Sequence, residues 1–450
     1  MYNLIKGGNL TVTHFLYPKD LAVEVDSYLM ERNINSKLTI ENLTNLFEIM
    51  YFASLKTEES EPIRVKITLI DKETPDPNPP KRIRRERWSY VRFKQEIELN
   101  IQNLVKISKA ADPKASSLAV DVSNGSLVIW GMIDQEYHYY NCLLNERESG
   151  PQRPGIFEAT IESLGEISIY KDYYNIASLK KNILTKKQNN VFYMGPISEK
   201  VDGYMQDYIH SVKNAIDPET YQAHDFWDRF LKRKWISIIC RILINIKEYR
   251  HGGAVLITLG PVSSQNDLSV KYDITYDRLS TSLPEYAIGK IKHREFFDYI
   301  IEEAFNKKNE NIPYPIINKG RLIEYDTEEY SGGLTGAVKF VAALSCVDGL
   351  VLLDQNLTVN GFGVEITTNE EPKNVYLAHD EEASEEKLKE LEYKHYGTRH
   401  RSMMRYCYKH PDSVGFVISQ DGDIRAITNV DNKLIIWDNI KLAQFLKSNI

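Results

Sequence analysis

The chain has 450 residues, 42% of them hydrophobic and 26% charged, with a formal net charge of −7. That length exceeds what one core usually organises and predicts two or more domains, while the acidic balance excludes a general nucleic-acid coat. The four cysteines, Cys142, Cys240, Cys346 and Cys407, lie far apart in or beside apolar runs, which excludes a disulfide or zinc framework and reads as reduced core thiols.

The first residues lack the basic-then-apolar build of a signal peptide, and no run of about 18 apolar residues occurs. The expectation is a soluble, cytoplasmic protein with no membrane partner.

Leu21 to Met30 and Ile40 to Leu55 carry apolar residues at helical spacing, and Arg64 to Ile70 alternates like a half-buried strand. A proline-rich turn, Thr74 to Pro80, leads into Lys81, Arg82, Arg84, Arg85, Arg87 and Trp88. Such a run reads either as a solvated loop or as a clamp for phosphate or single-stranded nucleic acid. Nothing nearby supports the second reading, so a nucleic-acid partner is not expected.

Leu118 to Val122 and Leu127 to Trp130 flank Asn124-Gly125, a dipeptide suited to a tight hairpin. Tyr137 to Tyr140, with His138, is either a pocket lining or a strand face. Further strand patterns run through Gly155 to Glu158 and Gly165 to Tyr170, before a polar loop at Thr185 to Asn190.

From Asp225 the pattern changes. Phe226, Phe230, Ile238, Ile239, Ile242, Leu243 and Ile246 recur at helical spacing, and the helix is expected to end at His251-Gly252-Gly253 on a glycine cap. Ala254 to Leu259 is apolar without alternation, as in a central strand buried on both faces. Helices are predicted over Arg294 to Phe305, Gly333 to Ser345 and, from paired charges, Glu381 to Tyr393. Strands follow at Leu350 to Leu353, Gly361 to Val364, Val414 to Ser419, Ile424 to Thr428 and Leu434 to Trp437, with a short closing helix, Ile440 to Leu446.

Two stretches in this half carry chemistry. Asp348, beside Gly349 at a helix-to-strand junction, displays a carboxylate suited to a hard divalent cation; the plain alternative is an Asp-Gly turn. Gly397-Thr398-Arg399-His400-Arg401-Ser402 gathers guanidinium groups and hydroxyls on a loop entering a helix, where forked donors and helix amides suit phosphate. Neither Gly-x-x-x-x-Gly-Lys-Ser/Thr nor Gly-x-Gly-x-x-Gly is present.

Asp348-Gly349, the strand and turn after it, the Arg399-His400-Arg401 run and Val417-Ile418-Ser419-Gln420 resemble the nucleotide-binding domain of the diadenylate cyclases, whose signature is Asp-Gly-Ala plus Arg-His-Arg. The helix ending at Gly253 and the strand after it are similar to that domain's opening, so the resemblance covers residues 225 to 450. The region through Gly155-Ile156-Phe157-Glu158 resembles the sensor domain that precedes the cyclase in one bacterial subfamily.

The resemblance implies an α/β (α+β) architecture: a C-terminal mixed sheet flanked by helices, residues 225–450, preceded by a separate α+β sensor-like domain, residues 1–210. It further implies ATP as substrate and cyclic di-AMP as product, formed across a face-to-face pair of copies under N-terminal control by an unidentified sensor ligand. Asp348, Gly349, Arg399, His400 and Arg401 would be catalytic, and Leu350, Gly397, Thr398, Ser402 and Ser419 would bind nucleotide. Asp348 would hold Mg2+ or Mn2+; Gln420-Asp421 stands where many members have acidic residues after the serine, and Asp421 reads either as a further metal ligand or as a plain Asp-Gly hairpin turn. Leu350 stands where the family has alanine, so a catalytically weak or inactive nucleotide-binding sensor module is the alternative reading.

Overall fold

The structure, a computed structural model, describes residues 16–34, 38–76, 88–113, 115–134, 154–171, 174–180, 182–185, 189–222, 226–260, 267–306, 312–420 and 423–442. The basic run at 81–87, the aromatic cluster at 137–140, Cys142 and Asp421 lie outside them. The chain divides into two compact units, Met1–Lys187 with Gln444–Ile450 and Gln188–Ala443. Both are mixed α+β.

The first unit contains helices α1 (Pro18–Glu31) and α2 (Ile40–Ser54), the small pair β1 (Thr57–Glu58) and β2 (Glu61–Pro62), strands β3 (Val65–Leu69) and β4 (Ser89–Glu98), and helix α3 (Ile101–Ser108). Strands β5 (Ser116–Ser123), β6 (Ser126–Asp134), β7 (Phe157–Ser163), β8 (Glu166–Lys171), β9 (Tyr174–Lys180) and β10 (Ile183–Thr185) complete it. Eight strands form one sheet in the order β10-β9-β8-β7-β3-β5-β6-β4, parallel only at β3 and β5. Leu21, Val25, Leu43, Leu46, Phe47 and Met50 on the first two helices bury against Val65, Ile67, Leu69, Leu118 and Val120. Period-two geometry sends the alternate β3 residues, Lys66 and Thr68, to the other face, where the Thr68 and Ser117 hydroxyls lie 2.6 Å apart. Asn124 and Gly125 take the positive φ angles, 51° and 82°, that turn β5 into β6.

The second unit opens with α4 (Pro196–Tyr204), α5 (Gln206–Asn214), α6 (Pro218–Gln222) and the long α7 (Trp227–Tyr249). It continues through β11 (Gly253–Thr258), β12 (Leu268–Tyr272), α8 (Arg278–Asn306), α9 (Tyr314–Leu344), β13 (Leu350–Asp354), β14 (Val359–Ile366), β15 (Val375–Ala378), β16 (Leu388–Glu390), α10 (Thr398–Lys409), β17 (Val414–Ile418), β18 (Ile424–Val430) and β19 (Lys433–Trp437). Nine strands order as β12-β14-β13-β11-β17-β18-β19-β15-β16. β11, wholly buried, lies between parallel β13 and antiparallel β17. Its alternate side chains feed two cores: Val255 and Ile257 pack under α7 and α9 with Val351, Leu353 and Phe416, while Ala254 and Leu256 pack with Leu350, Met403, Met404 and Cys407 of the α10 side.

Five expectations are corrected. The domain boundary lies at residues 187 and 188, not after 210, because Val191, Phe192, Ile197, Val201 and Tyr204 bury in the second unit's core. Lys200 on α4 also donates to the Thr428 hydroxyl at 2.7 Å, the Asn429 carbonyl at 2.7 Å and the Pro411 carbonyl. The stretch Glu381 to Tyr393 is no helix: Glu385–Lys387 and Tyr393–His395 form 3-10 turns around β16, whose residues pair with β15. Paired charges contribute only about 0.2–0.5 kcal/mol each, and without an apolar stripe they yield to sheet pairing. The α7 cap is Arg250, at φ 60°, two residues before the expected glycines. Cys346 is exposed, whereas Cys240 and Cys407 are buried as expected. Ile440 to Leu442 of the anticipated closing helix are not helical, and the remainder lies outside the described residues.

Candidate functional site

Strand register gathers the two singled-out stretches at one end of the second sheet. β11 and β13 run parallel with Val255 opposite Val351, so both begin at the same end. β17 runs antiparallel to β11 with Gly253 opposite Ile418, so it finishes there. Asp348 lies two residues before β13, Gly252 directly precedes β11, and Ser419 directly follows β17.

The Arg-His-Arg run is not the loop before a helix but the first turn of α10, capped by Gly397 with no side-chain hydrogen bond to the helix amides. The lower face of α10 fixes its position, because Met403, Met404, Tyr406 and Cys407 are fully or almost fully buried against the sheet. Its N-terminus therefore reaches the same sheet end. A methyl group built on Gly252 would stand 2.8 Å from the Ile418 carbonyl, 3.0 Å from Arg399 Nη1 and 3.2 Å from the Gln420 amide. With φ at +63°, Gly252 is the residue that allows this approach.

Asp348 is held by equally tight backbone. Gly349 sits at φ +117°, and a Cβ there would lie 2.5 Å from the Gly363 carbonyl carbon on β14. The Asp348 side chain is exposed.

The three members of the run do different things. His400 is buried, its Nε2 accepting from Arg425 Nη1 at 2.9 Å. Arg425 is in turn tied to Asp438 Oδ1 at 2.5 Å and lies 5.2 Å over the Tyr396 ring. Burial, then the nearby Arg425 and Arg399 charges, push the His400 pKa down to about 4, so the ring is neutral near pH 7. Since arginine only donates, Nε2 carries no proton and Nδ1 does. Arg401 is half-buried, and its Nε has no hydrogen-bond partner among the described residues. Thr398 is exposed, Arg399 and Ser402 half-buried.

Elsewhere on α10 the cations are paired: Arg405 Nε bonds Glu371 at 2.8 Å, and Lys409 Nζ bonds Asp267 at 2.9 Å. Among the described residues no carboxylate pairs with Arg399 or Arg401, and no cation pairs with Asp348.

Two other anticipated positions have contacts within the second unit. Leu350 is 4% exposed and packs in the α10-side core. The Ser419 hydroxyl accepts the Asp423 amide at 3.1 Å, closing the β17–β18 turn. Among the described residues no group of three or more His, Cys, Asp and Glu side chains could hold a metal. A single exposed carboxylate nevertheless fits magnesium or manganese bound jointly with substrate phosphates, which need only one or two protein carboxylates. The Arg425, Asp438 and Tyr396 support was not anticipated, although an arginine inside the apolar run Ile424 to Thr428 was a visible signal.

Residues 34–134 match the family model described as probable sensor domain DACNV, the N-terminal sensor of diadenylate cyclases. The match lies wholly in the first unit and ends where β6 ends. No curated protein matches the chain. Among the described residues, no helix is long and apolar enough to cross a membrane.

Proposed function

We propose that the second unit is a diadenylate cyclase regulated by the first. The observation that carries this reading is the placement of a carboxylate, Asp348, and two guanidinium groups, Arg399 and Arg401, none with an ion-pair partner among the described residues, at one sheet end beside a helix N-terminus with no side-chain cap. The sensor match in the first unit agrees with it.

Each copy would bind one ATP, with two copies meeting face to face. The 3′-hydroxyl oxygen of one ATP attacks the α-phosphorus of the other, forming the phosphodiester bond and breaking the bond to pyrophosphate. Repeating the step in the opposite sense closes the ring, giving cyclic di-AMP and two pyrophosphates.

Asp348 would bind a magnesium or manganese ion together with the phosphate oxygens, and its carboxylate would accept the hydrogen bond of the 3′-hydroxyl and take its proton as the oxygen attacks. That ion, when bound, supplies charge that stabilises the leaving oxygens. Arg399 and Arg401 would fork onto the β- and γ-phosphate oxygens, and the amides of Thr398 and Arg399 would add donors along the helix axis. Neutral His400 retains one N–H, at Nδ1, and through Nε2 keeps Arg425 in place. Positioning and electrostatic stabilisation are what nucleotidyl transfer requires of a protein.

Calorimetric titration with magnesium ATP tests the cradle. Hydrogen bonds to charged groups are worth about 1.5–3 kcal/mol, so Arg399→Ala and Arg401→Ala should each weaken ATP binding by roughly tenfold or more. Wild-type affinity in both variants would remove the cradle. ATP binding sensitive to both arginines, but without product under any metal, would instead support the non-catalytic nucleotide-binding module.

A further inference from the structure

The second unit is fastened to itself where its chain begins and ends. It runs from Gln188 to Ala443, and Asn189 and Ile440 form a parallel bridge between its two ends. The Asn189 amide donates to the Asn439 carbonyl at 3.2 Å, and the Lys441 amide donates to the Asn189 carbonyl at 2.8 Å. The Asn189 side chain, 9% exposed, adds a third bond, from Nδ2 to the Asp438 carbonyl at 2.9 Å.

Asp438 faces two ways. Its carbonyl takes Asn189, while its carboxylate holds Arg425 Nε at 2.5 Å. Arg425 in turn donates from Nη1 to His400 Nε2 at 2.9 Å, and His400 stands between Arg399 and Arg401 in the first turn of α10. The Ile440 amide also donates to the Ile424 carbonyl at 3.3 Å, which fixes the same end segment to β18 beside Arg425. A continuous route of hydrogen bonds through Asp438 thus joins the entry of the chain into the second unit to the turn that carries the two guanidinium groups. Both termini of that route, Asn189 and His400, are buried, where a polar group that loses its partner finds little water to replace it.

We propose that Asn189 and Asp438 are positioning residues for the cradle: through Arg425 and His400 they tie the first turn of α10 to the point where the chain enters the second unit. Lys187, which ends the first unit's main segment, is two positions from Asn189, so a displacement delivered along the chain reaches Arg399 and Arg401 by bonds already in place. Coupling between distant groups needs such a physical route. The proposal names how the first unit regulates the second, and it rests on the cyclase reading only in taking Arg399 and Arg401 as the phosphate cradle.

Two measurements on the full-length chain test this. Without nucleotide, hydrogen exchange at the Ser402, Met403, Met404 and Arg405 amides reads the first turn, because helical amides bond the carbonyl four residues earlier. Asn189→Asp keeps the side chain's shape but removes its donor, and Asp438→Ala removes the Arg425 counter-ion; each should speed exchange there by roughly threefold or more, with β11 unchanged. With magnesium ATP, calorimetry should show Asn189→Asp binding roughly threefold to tenfold more weakly and Asp438→Ala roughly tenfold or more. Asp438→Asn, which keeps an oxygen for Arg425, should fall between Asp438→Ala and the wild type. The double variant Asn189→Asp with Asp438→Ala should bind no more weakly than Asp438→Ala alone, because the two residues act through one route; independent structural contributions would add. Additive losses, or wild-type exchange and affinity in the single variants, would overturn the proposal. Wild-type affinity in Arg399→Ala and Arg401→Ala would instead remove the cradle, and the exchange measurement would still decide whether the tie exists.

Discussion

Charged residues around α10 separate by whether they have a partner. Arg405 is committed to Glu371, Lys409 to Asp267 and Arg425 to Asp438, whereas Asp348, Arg399 and Arg401 have no ion-pair partner among the described residues. A guanidinium held near backbone without a counter-ion is poised for an anion from outside. The types of these residues were legible in the sequence; their separate duties were not. Three consecutive helical positions point about 100° apart, so His400 turns inward to Arg425 while Arg399 faces Gly252. The inward histidine has a pH consequence. Its folded pKa, about 4, lies below the ordinary value of about 6.5. The unfolded chain therefore takes up more protons as pH falls, and stability drops between those two values while remaining level above them. Thermal unfolding of the wild type should show that decline from about pH 6.5 toward pH 4. His400→Gln, which cannot titrate, should show a flatter profile; an unchanged slope would mean that His400 does not titrate in this way.

At the scale of elements, apolar periodicity found what is buried. The helix beginning near Phe226, the strand beginning at Ala254, and the final meander stand close to where their patterns placed them. What escaped has physical causes. The helix expected from Arg294 begins at Arg278 and carries Pro284 within it, because packing against α9 sustains a helix that local propensity would stop. β4 was hidden because an edge strand needs no apolar alternation; eight of its ten residues are exposed. The segment joining the domains was misplaced because its apolar anchors and its polar bonds all reach residues distant in sequence. Lys200 reaches three oxygens on residues more than two hundred positions away, which no local pattern encodes. Lys200→Met should leave the Thr428 and Asn429 oxygens without this donor and cost about 1–3 kcal/mol. Urea unfolding should show a lower midpoint at constant slope, and an unmoved midpoint would show that α4 is held by its apolar face alone.

For the whole molecule, the division of labour follows from where the observations fall. The sensor match is confined to the first unit, and Asp348, Arg399 and Arg401, which have no ion-pair partner among the described residues, belong to the second. That these residues sit at one sheet end was legible only once strand order was known, since Asp348 and Arg399 are about fifty residues apart and are brought to the same end by β11, β13 and β17. The central claim is that this end joins two ATP molecules, and mass spectrometry of products is its most direct test. Purified full-length protein incubated with ATP and Mg2+ or Mn2+ should release cyclic di-AMP with two pyrophosphates per product, and Asp348→Asn should release none while still folding. Equal product from the wild type and Asp348→Asn, or no dinucleotide from the wild type with either metal at any protein concentration, would contradict the account.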